Sequence, residues 1–125
     1  MNQICTTKAP VAIGSYSQGV EKAGTIYVSG QLPLDPVTGK FPEEDIKVLT
    51  RQSMKNIAAI LEAAGSSLDC ILSTIIFVTD LGNFAEVNAA YAESFSGIAP
   101  ARTCVQVAAL PKGAPIEISA IAFKK

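Results

Sequence analysis

The sequence predicts an α+β domain, a mixed β-sheet with two helices packed on one face, in the order ββαβαββ. Three observations predict it. Residues 70–79 (Cys-Ile-Leu-Ser-Thr-Ile-Ile-Phe-Val-Thr) are rich in β-branched residues and form the strongest strand signal in the chain. Across residues 43–64, Ile46, Leu49, Ser53, Ile57, Ile60, Leu61 and Ala64 recur at steps of three and four, the spacing of one helical face. A strand, a helix and a further strand then follow between residues 70 and 107. That βαβ order requires parallel strands and a right-handed crossover.

The remaining elements follow in order. Residues 17–23 and 25–29 read as two short strands turning at Lys22-Ala23-Gly24. Leu32 to Lys40 is a loop, because two prolines and a glycine interrupt it. Glu43, Glu44 and Asp45 suit the N-terminus of the first helix, and Gly65 suits its C-terminal cap. Asp80 or Asn83 can cap a second helix, about 83–96, whose stripe is Phe84, Val87, Asn88, Tyr91 and Phe95. Asn88 lies on that apolar stripe, so its amide should find partners in the interior, either tying down a loop or meeting a ligand. A last strand, 115–123, follows a turn at residues 111–115.

The central strand is apolar on both sides. Ile71, Ile75 and Phe77 occupy one face, and Leu72, Ile76 and Val78 the other. Two helices cover one face only. The second is therefore expected to be covered by other subunits, unless the strand lies at the centre of a monomer's core.

Composition narrows the chemistry. A chain of 125 residues, 49% apolar, fits one domain spanning 1–125. Its net charge is −1 and its lysines are scattered, so the basic footprint of a nucleic-acid partner is missing. No apolar run reaches membrane-spanning length, and Met1 to Cys5 lack a signal-peptide layout, so no membrane partner is expected. Cys5, Cys70 and Cys104 are odd in number and lack metal-ligand spacing, which reads as reduced thiols in a cytoplasmic protein. There is no histidine. A Ser-His-Asp triad, a Cys-His pair and the usual zinc sites are therefore excluded. Acid or base work falls to carboxylates, tyrosine, lysine or water.

Two residues stand out. The chain has only two arginines, and Arg102 opens the apolar strand Pro100-Ala101-Arg102-Thr103-Cys104-Val105. Its guanidinium fork suits a small carboxylic acid, although an ordinary surface ion pair is the plainer reading. Glu117 alternates with Ile116 and Ile118 in the final strand. A carboxylate there is paired with a buried donor, or raised in pKa and able to handle a water proton.

Cys104 shares a strand face with Arg102. It is either a nucleophile, which needs a thiolate, or a small apolar filler whose backbone meets a ligand. Tyr16, beside Gly14, is a ligand contact or a packing lid. At Ser29-Gly30, Gly30 permits close approach to the backbone or simply ends the strand. A simple hairpin between the last two strands would hold Glu117 roughly 20 Å along the strand from Arg102. A shared site then requires that those strands not be neighbours, or that the site span two subunits.

These segments together resemble the Rid/YjgF-like family, the reactive intermediate deaminases, and within it the imine-deaminating RidA branch. The resemblance rests on Gly14-x-Tyr16-x-Gln18-Gly19, Ser29-Gly30-Gln31, Arg51-Gln52-Ser53 with Asn56, Phe84-x-x-Val87-Asn88, Pro100-Ala101-Arg102-x-Cys104 and Ile116-Glu117-Ile118, in that order along nearly the whole chain. It departs at Ser15, where many members have proline, at Thr103 for a common serine, and in a short 96–99 connection without an aromatic residue.

The resemblance implies a chorismate-mutase-like fold and a homotrimer with sites at its subunit interfaces. It implies cofactor-free hydrolysis of 2-aminoacrylate/2-iminopropanoate and 2-iminobutanoate to 2-keto acids and ammonia. It places Arg102 on the substrate carboxylate and Glu117 on the attacking water. Tyr16, Ser29, Gly30, Asn88 and Cys104 would line the pocket. The alternative is a non-catalytic trimer that binds 2-keto acids or related small carboxylates. An RNA-cleaving role attached to relatives is disfavoured by the charge and by the missing histidine.

Overall fold

The computed structural model describes all 125 residues, Met1–Lys125. Six strands and two helices follow in order: β1 Asn2–Ile4, β2 Gly19–Lys22, β3 Thr25–Gln31, α1 Ile46–Ala63, β4 Ile71–Val78, α2 Phe84–Ala92, β5 Ala101–Gln106 and β6 Ile116–Phe123. The predicted α+β order holds. Strand β1 is an addition, too short to announce itself in sequence; it pairs antiparallel with β2 through Gln3 and Val20.

Local chemistry sets the helix ends. The Asp45 carboxylate accepts from the backbone N–H groups of Lys47 and Val48, so α1 begins later than its acidic lead-in suggests. Gly65, at φ +78°, ends it in the left-handed conformation that glycine adopts without strain. Asp80 accepts from the N–H of Gly82, and a single 3₁₀ turn precedes α2. Helix α2 is shorter than predicted. It stops at Ala92, and Phe95 lies beyond it, its ring 5.0 Å from that of Tyr91.

The sheet runs β1-β2-β3-β6-β4-β5. Strands β4 and β5 are parallel, as the βαβ order requires. Strand β6 inserts antiparallel between β3 and β4, so β5 and β6 are not neighbours. The core lies between the sheet and the helices. Ile57, Ile60 and Leu61 of α1 are fully buried, as are Ile26, Ile76, Ile116 and Ile118 of the sheet. Each such side chain contributes roughly 1.5–3 kcal/mol of transfer free energy.

The assignment of β4 residues to faces needs one correction. A register shift between Ile71 and Ser73 inserts Leu72 as an extra residue. Ile71 is therefore buried on the helix side with Thr74, Ile76 and Val78, while Leu72 is turned out, 52% exposed. This is what a β-bulge does to strict alternation. Nothing in the chain covers the opposite face. Tyr27, Ile75, Val105 and Phe123 stand exposed on it.

Candidate functional site

The residues singled out from the sequence fall into two clusters on opposite faces of the sheet. Glu117 follows fully buried Ile116 and precedes fully buried Ile118, so alternation sends its side chain to the uncovered face. Its register neighbour is Phe77 of β4, which in turn lies beside Val105 of β5. Arg102 pairs with Thr74, and Thr74 with Ala120. Thr74 and Ala120 are buried under the helices, and Arg102 projects to that side. Within one chain the two groups are thus separated by the sheet itself. They are also two strand spacings apart, roughly 10 Å, and offset by three residues, roughly another 10 Å.

The Glu117 cluster is built mainly by backbone. Strand β3 has an irregularity between Val28 and Gln31 where it borders β6, and Gly30 sits in it. A Cβ at Gly30 would lie 2.7 Å from Glu117 Oε2 and 2.8 Å from its Cδ. The carboxylate lies in the space a side chain would fill, which is why glycine stands there. The Ser29 hydroxyl donates to the Ser17 carbonyl at 2.6 Å, and the Ser29 N–H donates to the Gln18 carbonyl. Tyr16, half-exposed, stands on the rim. With these residues, apolar Val11, Ile13, Leu32 and Leu34 help wall a cavity of about 620 Å³. Glu117 has no hydrogen-bond or ion-pair partner within the chain, and burial pushes its carboxyl above the usual carboxylate range.

Two buried amides brace this cavity, and sequence reasoning gave them no role. Gln18 donates through Nε2 to the carbonyls of Thr6, Ala9 and Pro10 and accepts from the Thr6 N–H. Asn56, inside the apolar stripe of α1, donates to the carbonyls of Leu32 and Leu34. An amide in an apolar stripe is the signal that could have found Asn56, since a buried amide must be satisfied; Gln18, in the loop between Ser17 and Gly19, carries no such signal.

The Arg102 cluster is built by side chains of α2. Arg102 Nη1 donates to Asn88 Oδ1 at 2.6 Å. The guanidinium carbon lies 5.3 Å from the centre of the Phe84 ring and 5.4 Å from that of Tyr91, within cation–π range. Asn88 is exposed rather than interior, and its partner is Arg102 rather than a loop. Its place on the stripe brings it over the strand edge, where the sheet ends and solvent begins. A second cavity, about 460 Å³, lies between Asn88, Phe95, Pro100 and Arg102. Cys104 is half-buried two residues along β5. Burial raises its thiol pKa, and the nearby Arg102 charge offsets this only in part. It is a thiol at neutral pH and a poor nucleophile.

Comparison with known proteins covers nearly the whole chain. The family model described as Endoribonuclease L-PSP matches residues 6–124. The chain belongs to the Rid/YjgF family. A Rid relative from Salmonella typhimurium, named 2-iminobutanoate/2-iminopropanoate deaminase, is 48% identical over 125 residues, covering 98% of this chain and 97% of its own. Among solved Rid-fold structures, Escherichia coli TdcF with bound serine superimposes with a TM-score of 0.96 at 42% identity, over the full length of both chains. The Rid protein YyfA of Yersinia pestis gives a TM-score of 0.95 at 50% identity, over 98% of each chain.

Proposed function

We propose that this Rid protein hydrolyses reactive 2-imino acids, 2-aminoacrylate/2-iminopropanoate and 2-iminobutanoate, to 2-keto acids and ammonia. We further propose that it works as a homotrimer in which the Glu117 side of one subunit meets the Arg102 side of the next. The observation that carries this reading is the division of the site. A cation without a carboxylate partner and a carboxylate without any partner lie on opposite faces of one sheet, each beside a cavity. The exposed apolar face beside Glu117 supplies surface for the contact. The nearly full-length relatives named for this reaction supply the substrate class.

The chemistry needs little more than these groups. Arg102 holds the substrate carboxylate through two parallel N–H donors. The protonated imine carbon is already electrophilic. Water adds to it while Glu117 accepts the water's proton, giving a carbinolamine. The same proton returns to the nitrogen, the C–N bond breaks, and ammonia leaves as the carbonyl forms, the hydroxyl proton passing to Glu117 and from there to the departing ammonia. A carboxyl raised by burial is suited to both transfers, because its affinity for the proton lies nearer the working pH. Fixing the acid and one water supplies the orientation.

The test couples an amino-acid oxidase, which generates the imino acid, to semicarbazide, which traps what remains. Wild type should deplete the trappable imine, and Arg102→Ala should reduce that acceleration at least about a hundredfold while the oligomer stays intact. Near wild-type turnover in Arg102→Ala would remove the clamp. No acceleration by wild type with any imino acid would favour the non-catalytic binder of keto acids.

A further inference from the structure

Arg102 is exposed, lies on an edge strand and has no carboxylate partner in the chain, yet its head group is held on three sides. Phe84, Asn88 and Tyr91 fall at steps of four and three, so they share one face of α2 and reach Arg102 together. The two rings are not equivalent. Phe84 is 38% exposed at the first position of the helix. Tyr91 is 3% exposed, and its hydroxyl shares a 2.7 Å hydrogen bond with Thr74 Oγ1. Thr74 is buried on β4 and is the register partner of Arg102 on β5. The residue beside Arg102 in the sheet therefore holds the ring that packs against the Arg102 guanidinium.

We infer that Tyr91, tethered by Thr74, is a positioning residue for the carboxylate clamp, an inference that rests on the reading of Arg102 given above. A guanidinium on a flexible stem has many rotamers, and a site that must grip a small carboxylate needs one of them. An acidic partner would fix the rotamer by occupying the N–H donors the substrate requires. An aromatic face fixes it through the cation's charge and consumes no donor. Asn88 takes one of the five N–H groups and leaves the others for the substrate. The tether matters because a ring free to turn would carry the cation with it.

The experiment uses the assembled protein and a 2-keto acid, 2-oxobutanoate, as the carboxylate probe. It reads the dissociation constant, the split between KM and kcat, and the 15N-detected Nε–H resonance of Arg102, whose position reports the neighbouring rings. Tyr91→Leu should weaken keto-acid binding about tenfold, raise KM more than it lowers kcat, and move the Arg102 resonance. Tyr91→Phe and Thr74→Val each remove the tether and keep the ring. Each should weaken binding about threefold, and the double variant should be no worse than either alone, because the two residues share one interaction.

Thr74→Ser, which restores the hydroxyl, should return affinity and resonance to wild type. If Tyr91→Leu does not fold, the Thr74 pair carries the test. Wild-type affinity and an unmoved resonance in Thr74→Val would overturn the inference while leaving the clamp in place. Should Arg102→Ala itself bind the keto acid as tightly as wild type, the clamp reading fails first, and the role of Tyr91 falls with it.

Discussion

The two halves of the candidate site are held in opposite ways. Arg102 is gripped by side chains: an amide oxygen, two ring faces and, behind one ring, a buried hydroxyl. Glu117 is gripped by nothing of that kind. It lies against the bare backbone of Gly30, without a donor or a cation in its own chain. The difference suits the two tasks proposed for them. A group that reads a substrate's carboxylate needs one orientation. A group that takes up and returns a proton must not be saturated by a permanent partner, which would hold its pKa low.

The largest effect expected from this contrast comes from mixing two dead variants. Arg102→Ala and Glu117→Gln each lack one half-site and keep the other. Co-assembled in equal amounts at random, about a quarter of the interfaces in a cyclic trimer regain both intact halves. Imine depletion should return to about a quarter of the wild-type rate. Activity that stays at background in verified mixed oligomers would place the working Arg102 and Glu117 in one subunit, which the intervening sheet opposes.

Next in size is Glu117→Gln alone. Its kcat should fall about 10²- to 10⁴-fold, the usual contribution of a positioned general base, with keto-acid affinity little changed. Equal losses in kcat and in keto-acid affinity would make Glu117 structural. The same variant carries a stability signature. Within a single chain Glu117 has a folded-state pKa above its unfolded value, so the folded chain binds the proton more tightly. Stability therefore falls as pH rises from the ordinary carboxylate range through the raised folded value. Thermal midpoints of wild type and Glu117→Gln should coincide at acidic pH, with the glutamine variant higher at neutral pH.

Gly30→Ala sharpens the comparison from the other side. The new methyl would need the space of Glu117 Oε2, and the carboxylate, as the flexible partner, must shift. Turnover should drop about tenfold or more by misplacement, with the melting midpoint nearly unchanged. The smallest effect is expected at the Arg51–Glu93 pair between α1 and α2. Its geometry is two-toothed, at 2.9 Å for both contacts, but both side chains are about half exposed. Glu93→Gln should move the midpoint only slightly, and raised salt should erase the difference.

Much of the fold was legible because it is written in local periodicity. Helix α1, strands β4 and β6, and the parallel β4–β5 pair follow from spacing and from the crossover rule. The placement of β6 between β3 and β4 has no local signature, since strand order is decided by long-range pairing. Strand β1 has only three residues, and the Leu72 bulge is invisible until register is known.

The site was legible in part. Arg102 and Glu117 stood out as lone charges in apolar strands, and the Rid motifs marked their neighbours. Alternation within each strand says which residues share its faces, but not which face of one strand matches which face of another. The separation of Arg102 from Glu117 by the sheet thus needed the register. The apolar stripe of α2 predicts an interior place for Asn88. The helix stops at Ala92 and lies over the sheet edge, which leaves that amide in solvent beside Arg102.

The placement of the two halves on opposite faces has a consequence for how such an enzyme is switched on. In the proposed trimer a newly made chain holds every chemical group it needs and still no working centre. Activity then begins at assembly and follows mass action. A solitary subunit would be inert rather than slow, and dilution would act as an inhibitor without touching a single residue of the pocket.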